Sequence, residues 1–289
     1  MNLTVALVSD LHFGPEARYE GKLRKLASHA PALTRAFVRT INDSVKPDLV
    51  VNLGDNVEDE SREVDLSRYI ECQAILRSCH APLVNVAGNH DTIHIPHNEL
   101  LGVWQRTGQL YYALDFGGWH FCILHTVERK DLDVRIAAPQ LRWLADDLAA
   151  HRGPTVVLMH HSASEQNLDD SRWFRGHPER CLVQERAELR QILEASGQVR
   201  AVFNGHLHRN HIDVIRGIAY ITVQSLIENL DDDSPGRPAC AHAVVHLSPE
   251  RMVLRVAGAE PIAFQLEFPR SCCTETPATD RGELGACTG

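Results

Sequence analysis

Five short groups of histidine, aspartate and asparagine residues constrain this chain more than any other feature of its sequence. Each group directly follows a segment that is typical of a buried strand. In chain order they are Asp10-Leu11-His12, Gly54-Asp55, Gly88-Asn89-His90-Asp91, His160-His161 and Gly205-His206-Leu207-His208. One such group occurs often by chance. Five of them in this order indicate a shared site.

The strands that precede the groups are predicted from short apolar runs. These runs cover residues 4–9, 48–53, 83–87, 155–159 and 199–204. Between them, three helices are predicted. Apolar residues recur at helical spacing at Leu33, Phe37 and Ile41 and at Leu141, Leu144 and Leu148, and the pattern continues over residues 188–195. Three hairpins are predicted at the turns 117–118, 216–217 and 248–250. Strands that alternate with helices and hairpins favour an α/β fold, in which two packed mixed β-sheets are flanked by helices.

All five groups lie where a strand ends, and ligands of open α/β sheets bind beyond the carboxyl ends of the strands. Their side chains are therefore expected to converge. They offer imidazole, carboxylate and amide oxygen but no thiolate, which favours Mn, Fe, Zn, Co or Ni over calcium. The five groups contain more aspartate and histidine side chains than a single catalytic ion with an open position can bind. We therefore predict two divalent transition metal ions that share a carboxylate.

Length and charge limit the class of protein. No linker divides the 289 residues, so one domain is predicted over residues 1–270, followed by a flexible polar tail at 271–289. A net charge of −9 disfavours binding to a nucleic acid polymer or to an anionic membrane. A small molecule is therefore the expected substrate.

Membrane insertion is not expected, because no apolar run reaches the ~18 residues that span a bilayer. The first residues lack the basic segment and the cleavage site of a signal peptide. The eight cysteines contain no CxxC pair and are interpreted as free thiols of a reducing compartment. Together these features predict a cytoplasmic protein.

The ordered groups, written DLH, GD, GNHD, HH and GHLH, resemble the motifs of the calcineurin-like metallophosphoesterase superfamily. The resemblance runs from Met1 to about Val223 and implies a four-layer sandwich for the metallophosphoesterase domain at 1–270. Within the superfamily, the pattern looks most like the class III cyclic-nucleotide phosphodiesterases and the glycerophosphodiesterases. The sequence Leu141-Arg142-Trp143-Leu144 before the fourth group strengthens that likeness.

The resemblance also implies a role for each residue of the groups. One ion would be held by Asp10, His12 and His208, the other by Asn89, His160 and His206, and Asp55 would bridge the two. His90 would face the substrate phosphate and help the leaving oxygen depart. For two further residues, two roles are possible. Asp91 either orients a histidine or caps its own loop, and His161 either contacts the phosphate or packs in the core.

Departures from related groups narrow the activity. Glu58 stands where purple acid phosphatases carry a tyrosine ligand, which argues against a purple Fe(III) enzyme. Protein Ser/Thr phosphatases continue GD into VDRG and use GNHE, whereas this chain has Asn56-Val57-Glu58 and GNHD, which argues against protein phosphatase activity. Residues 162–163 replace the proline that often follows the HH group, so the substrate loop stays undefined.

Charge counting favours a phosphodiester. Two divalent ions, the carboxylates of Asp10 and Asp55 and one bridging hydroxide sum to about +1, which matches a diester monoanion better than a monoester dianion. The predicted reaction is hydrolysis of a 3′,5′-cyclic nucleotide or a glycerophosphodiester by in-line attack of a metal-bound hydroxide. A broad phosphomonoesterase, a nucleotide pyrophosphatase and a noncatalytic scaffold are the alternatives. Relatives often dimerise, so a homodimer is one expected assembly.

Overall fold

The computed structural model describes residues 2–130 and 132–268. The tail predicted at 271–289, with Cys272, Cys273 and Cys287, lies outside the described residues. Among the described cysteines, four are buried and Cys240 is half-buried, and all five are free thiols.

The strands follow one another as the apolar runs predict, with some additions. Their bounds are β1 (Leu3–Val8), β2 (Leu49–Asn52), β3 (Leu83–Asn85), β4 (Tyr112–Phe116), β5 (Trp119–Ile123), β6 (Val127–Arg129), β7 (Asp133–Arg135), β8 (Thr155–Leu158), β9 (Val199–Asn204), β10 (His211–Ile215), β11 (Ile218–Thr222), β12 (His242–Leu247), β13 (Arg251–Ala257) and β14 (Ile262–Glu267). The three predicted hairpins are confirmed as β4–β5, β10–β11 and β12–β13. The sequence did not predict β14 or the small β6–β7 pair.

The helices lie between the strands. Their bounds are α1 (Ala30–Thr40), α2 (Arg62–Leu76), α3 (Asn89–Ile93), α4 (His97–Trp104), α5 (Ala138–Ala150) and α6 (Arg186–Ser196). Proline in the first turn begins α1 and α5, where its missing N–H has no helical partner. Gly197 ends α6 in the left-handed region at φ 66°.

Two six-stranded mixed sheets form the centre of the fold. The first has the order β14-β13-β12-β1-β2-β3, and the second has the order β10-β11-β9-β8-β5-β4. Leu7 and Val245 of the first sheet line one small internal space with Phe121, Leu158 and Phe203 of the second, so the sheets pack face to face. The predicted pair of packed mixed sheets is confirmed.

Helices cover the outer faces of both sheets. Leu144 of α5 and Leu193 of α6 belong to one apolar cluster with Val157 and Val202 of the second sheet. Helices α1 and α2 pack on each other and join the apolar cluster of the first sheet through Phe37 and Tyr69. The order of layers is thus helices, sheet, sheet, helices. Strands β1, β2 and β3 of one sheet and β8 and β9 of the other end at the residues of the five groups.

Candidate metal centre

The five groups meet where the carboxyl ends of the two sheets come together. The backbone N–H of His206 donates to both carboxylate oxygens of Asp10, at 3.1 and 3.0 Å, and so joins β9 to β1. His160 Nδ1 donates to the carbonyl oxygen of Leu53 at 2.8 Å and joins β8 to β2. All seven residues predicted as ligands are buried. The convergence expected from the sequence is therefore present.

Asp10, His12 and His208 form the first group of donor atoms. The Nε2 atoms of His12 and His208 lie 3.1 Å apart, and Asp10 Oδ1 lies 4.0 and 3.6 Å from them. His208 Nδ1 donates to Glu228 Oε2 at 2.8 Å, and His12 Nδ1 lies 3.1 Å from Glu58 Oε1. With hydrogens on the two Nδ1 atoms, both Nε2 lone pairs face each other. A cation between them would stabilise this arrangement, and we call this place the first cation site.

Asn89, His160 and His206 form the second group. Asn89 Oδ1 lies 3.0 Å from His160 Nε2 and 3.1 Å from His206 Nδ1. The amide nitrogen of Asn89 donates outward to Glu128 Oε2 at 2.6 Å, which turns its oxygen towards the two imidazoles. His206 Nε2 donates to the carbonyl oxygen of Arg180 at 3.1 Å, so its Nδ1 lone pair also faces inward. These donors converge on what we call the second cation site.

Asp55 lies between the two sites. Its Oδ2 atom is 3.8 Å from His12 Nε2 and 3.2 Å from His160 Nε2. Its Oδ1 atom accepts a hydrogen bond from the backbone N–H of His90 at 3.0 Å, which fixes the carboxylate plane. One oxygen is thus shared by both groups of donors, as the predicted bridging role of Asp55 requires.

The backbone around the donors is unusual. Five of the seven residues have a left-handed φ of 45–67°, a conformation that costs about 1–3 kcal/mol at a non-glycine position: Asp10, His12, Asp55, His206 and His208. Two glycines of the groups allow close approach instead. A Cβ on Gly88 would lie 2.1 Å from Asp55 Oδ1, and one on Gly205 would lie 1.8 Å from Ser9 Oγ. These turns aim each side chain inward at the expense of local strain.

Asp91 and His161, the two residues with two interpretations each, are both buried beside the donors, and the ring nitrogens of His161 lie close to those of His160 and His206. The carboxylate of Asp91 accepts hydrogen bonds from the backbone N–H groups of Asp55, Asn56 and Gly88, at 3.0, 2.7 and 3.0 Å. It therefore caps α3 and ties two of the groups together. Burial, with a smaller effect of Asp55, raises the pKa of Asp91 to about 6. The buried ring of His161 packs against His206 with a centroid distance of 4.1 Å, and its Nδ1 lies 2.7 Å from Thr126 Oγ1.

His90 lies at the edge of the centre with 23% of its side chain exposed, so it is accessible to a substrate. Its Nδ1 atom is 2.5 Å from Asp59 Oδ1, and its ring centroid is 4.9 Å from that of His12. Burial lowers the pKa of His90, but Asp55 and Asp59 outweigh it and leave that pKa above its ordinary value. The position is open to a substrate phosphate, and the ring also lies in a group of possible metal-binding donors with His12 and Glu58.

Sequence reasoning did not identify four acidic residues that hold the donors in place. Glu228, Glu58, Glu128 and Asp59 contact His208, His12, Asn89 and His90 respectively. Such outer partners fix the tautomer and orientation of metal ligands. Glu58 and Asp59 follow the GD group closely, which is a weak signal. Glu128 and Glu228 lie in no motif, and only the tertiary structure reveals them.

Protonation is expected to oppose metal binding at the second cation site. Burial lowers the pKa of His160, but Asp55 and Asp10 raise it to about 10. His160 of the metal-free protein is then protonated at neutral pH, and an ion at Nε2 must displace that proton. The apparent affinity for Zn²⁺ or Mn²⁺ should therefore rise with pH, by about tenfold per unit below pH 10 if one proton is released. Titration calorimetry in two buffers of different ionisation heat measures the release. No transfer of protons to the buffer would contradict the prediction.

Comparison with known proteins identifies the family. The model of the family described as calcineurin-like phosphoesterase matches residues 3–210, which include all five groups. The chain belongs to the calcineurin-like phosphoesterase family. The resemblance drawn from the five groups is thereby confirmed.

Relatives of the chain carry two kinds of name. A protein of Synechococcus sp. named "probable cyclic nucleotide phosphodiesterase" is 27% identical over 73% of this chain and 76% of its own length. A protein of Psychrobacter sp. with the same kind of name is 24% identical over 70% of this chain, but only 58% of its own length is covered. The Bos taurus protein named "serine/threonine-protein phosphatase CPPED1" is 30% identical over 71% of this chain and 67% of its own length.

Solved structures share the fold. The structure of a dimetal phosphatase from Danio rerio has a TM-score of 0.75 and 17% sequence identity, and covers 92% of this chain and 99% of its own. A purple acid phosphatase from yellow lupin has a TM-score of 0.66 and 13% identity, over 92% of this chain and 54% of its own. No helix among the described residues has the length and hydropathy to cross a membrane. The cytoplasmic location stays a prediction.

Proposed function

We propose that this protein is a dinuclear metal-dependent phosphodiesterase that hydrolyses small phosphodiesters, either 3′,5′-cyclic nucleotides or glycerophosphodiesters. The observation that carries the proposal is the position of Asp55 Oδ2 between two groups of buried nitrogen and oxygen donors. Mn, Fe, Zn and Co all suit these donors. Bound there, two ions would neutralise charge on the phosphoryl oxygens and activate the attacking water.

The side chains of the chain divide the remaining tasks. Glu228 and the Leu53 carbonyl hold the rings of His208 and His160 in the orientation that presents their Nε2 atoms. Glu128 does the same for the amide oxygen of Asn89. In this proposal, His90 donates a proton to the departing oxygen from the open edge of the centre. Asp59 keeps the ring of His90 in place.

The charge around the centre supports a diester substrate. Lys25 lies beside the first cation site, yet its ammonium group contacts Glu58, so the pair adds no net charge. Arg172 is likewise paired with Glu228 at 2.8 Å. The count of about +1 for two divalent ions, two carboxylates and a hydroxide is therefore not raised by these cations. That value is suited to the single charge of a phosphodiester.

A phosphomonoesterase is the second candidate, because the CPPED1 relative is named a serine/threonine-protein phosphatase. Against it, the sequence of this chain departs from the VDRG and GNHE motifs of the protein Ser/Thr phosphatases. The two candidates require different charges on the bound phosphate. Comparing a diester with a monoester therefore separates them.

We expect the Mn-loaded protein to hydrolyse bis(p-nitrophenyl) phosphate with a higher kcat/KM than p-nitrophenyl phosphate, by roughly tenfold or more, which is about 1.4 kcal/mol in transition-state stabilisation. The two substrates share one leaving group, so the comparison tests the effect of the charge on the phosphate group. Assays of cAMP, glycerophosphocholine and a phosphoserine peptide extend it to natural substrate classes. A clear preference for the monoester, or hydrolysis of the peptide alone, would favour the phosphatase.

A further inference from the structure

A further group of histidine and aspartate side chains lies at the opposite ends of the strands from the two cation sites. Asp115 of β4 and His120 of β5 are cross-strand partners, so their side chains share one face of the second sheet. His120 pairs with Thr155, the first residue of β8, whereas the donor His160 lies beyond the far end of that strand. At a rise of roughly 3.3 Å per residue, the two histidines are at least about 10 Å apart. The group is therefore separate from the metal centre.

His151 completes the group from the end of α5. Its ring stacks on that of His120 with a centroid distance of 3.9 Å and 19° between the planes. Asp115 Oδ1 lies 2.7 Å from His120 Nδ1 and 3.7 Å from His151 Nδ1. The glycine at position 153 leaves room for the His151 ring, because a Cβ there would lie 2.7 Å from Nε2 of that ring. Three donor atoms, from β4, β5 and the end of α5, thus lie within 4.8 Å of one another.

Asp147 of α5 sets the direction of the buried imidazole. Its Oδ2 atom accepts a hydrogen bond from His120 Nε2 at 2.7 Å, and His120 is only 5% exposed. With the hydrogen on Nε2, the Nδ1 lone pair faces the other two donors of the group. A carboxylate that accepts from the outer ring nitrogen of a histidine is the usual partner of a metal ligand. Glu228 holds His208 at the first cation site in the same way.

The surroundings of the group favour a cation and give it access. Two carboxylates lie beside the imidazoles, and α5 ends directly before His151, so the negative end of the helix dipole also faces this place. The side chains of Asp115 and His151 are 72% and 25% exposed, so an ion can enter from solvent. Tetrahedral zinc ligands lie about 3.3 Å from one another, with bonds of roughly 2.0–2.2 Å. The exposed Asp115 can withdraw from His120 by the small distance that this requires.

We propose that Asp115, His120 and His151 form a third cation site, which takes one Zn²⁺ or a similar divalent transition ion. Two imidazoles and one carboxylate are a common set of protein ligands for zinc, with water in the fourth position. An ion there would fasten β4, the edge strand of the second sheet, to the end of α5. The third cation site is thus structural, and it does not depend on the phosphodiesterase function proposed above.

The first experiment counts zinc ions in the wild type, His151→Ala and His80→Ala after dialysis against one buffered concentration of free Zn²⁺. His80 is exposed and lies outside the group, so its variant is the matched control. His151→Ala should hold one zinc ion per chain fewer than the wild type and the control. This difference is independent of how many ions the metal centre binds. Equal zinc content in all three proteins would overturn the third cation site.

The second experiment tests the importance of Asp147 for the direction of the His120 ring. Asp147→Asn should weaken Zn²⁺ binding at the third cation site about 10- to 100-fold, which is the usual effect of losing the outer partner of a ligand. Asp146→Asn changes an exposed neighbour on the same helix and should keep the wild-type affinity. Zinc content over a series of free Zn²⁺ concentrations measures both affinities. Equal affinity in Asp147→Asn and the wild type would contradict the proposed orientation of His120.

The third experiment needs no substitution and so excludes any effect of misfolding. Wild-type crystals soaked in Zn²⁺ are measured by anomalous diffraction at the zinc absorption edge. A peak is expected roughly 2.0–2.2 Å from the Nδ1 atoms of His120 and His151 and from the carboxylate of Asp115. The absence of a peak at this place would show that Asp115 and Asp147 are only ion-pair partners of His120, and would overturn the third cation site.

Discussion

Asp55→Ala is expected to lose metal from both cation sites and to lower kcat/KM for a phosphodiester by at least about 1,000-fold. The reason is the shared oxygen, since Asp55 Oδ2 lies within 3.8 Å of His12 Nε2 and 3.2 Å of His160 Nε2. Metal ions stabilise transition-state charge by several kcal/mol, and each 1.36 kcal/mol is tenfold in rate. Elemental analysis of the purified variant, together with kinetics in excess Mn²⁺, measures both effects.

A matched control removes a carboxylate far from the centre. Asp43 is exposed on the short helical segment after α1, so Asp43→Ala should keep wild-type metal content and activity. Circular dichroism of both variants excludes misfolding as the cause of any loss. One tightly bound ion in the wild type, or an unchanged metal content in Asp55→Ala, would contradict the two-ion assignment.

His90→Ala is expected to lower hydrolysis of alkyl diesters such as cAMP or glycerophosphocholine by about 10²–10⁴-fold, which is the usual contribution of a general acid. The loss should be much smaller on bis(p-nitrophenyl) phosphate, because p-nitrophenolate leaves readily without a proton. The ring of His90 is partly exposed, and its Nδ1 is paired with Asp59, whereas only the backbone N–H of His90 contacts the donor residue Asp55. The variant should therefore keep its metals.

Asp59→Asn tests the same role through the partner of the imidazole. Asp59 Oδ1 lies 2.5 Å from His90 Nδ1. The amide that replaces this carboxylate should hold the imidazole less firmly, so Asp59→Asn should lose less activity than His90→Ala, with the same dependence on the leaving group. Kinetics on both substrate types, with metal content measured in parallel, distinguish the outcomes. Equal loss on alkyl and p-nitrophenyl diesters would assign His90 to phosphate binding, and loss of metal would make it a ligand.

Periodicity explains why some elements were predicted and others were not. The apolar runs before the five groups are continuous because those strands are buried in the sheets, so their positions were readable. Helix α2 was not predicted, because its buried face includes the polar residues Asp65 and Gln73. Strand β14 lies at the edge of its sheet and alternates between half-buried and exposed residues. Neither pattern stands out in a sequence.

The sequence by itself determined the donor types, their order and their positions at strand ends. Those features follow from local rules: apolar runs form strands, and ligands of α/β sheets bind at strand ends. From them came the α/β class and the resemblance to the family, and that resemblance implied the seven donor residues. The sequence showed Gly88 and Gly205 as parts of motifs. It did not show why these positions require glycine, which is that Asp55 and Ser9 lie too close for a Cβ atom.

Only the tertiary structure decided how the donors are held and what lies around them. The carboxylate of Glu228 contacts His208, which lies 20 residues earlier in the chain. Arg24 lies over the ring of Trp173, although the two residues are far apart in the sequence. Such contacts join loops without periodicity, and their geometry is set by the packing of the two sheets rather than by neighbouring residues. Local sequence rules contain no information on that packing. The left-handed turns at Asp10, Asp55 and His206 are likewise stable only because surrounding contacts maintain them.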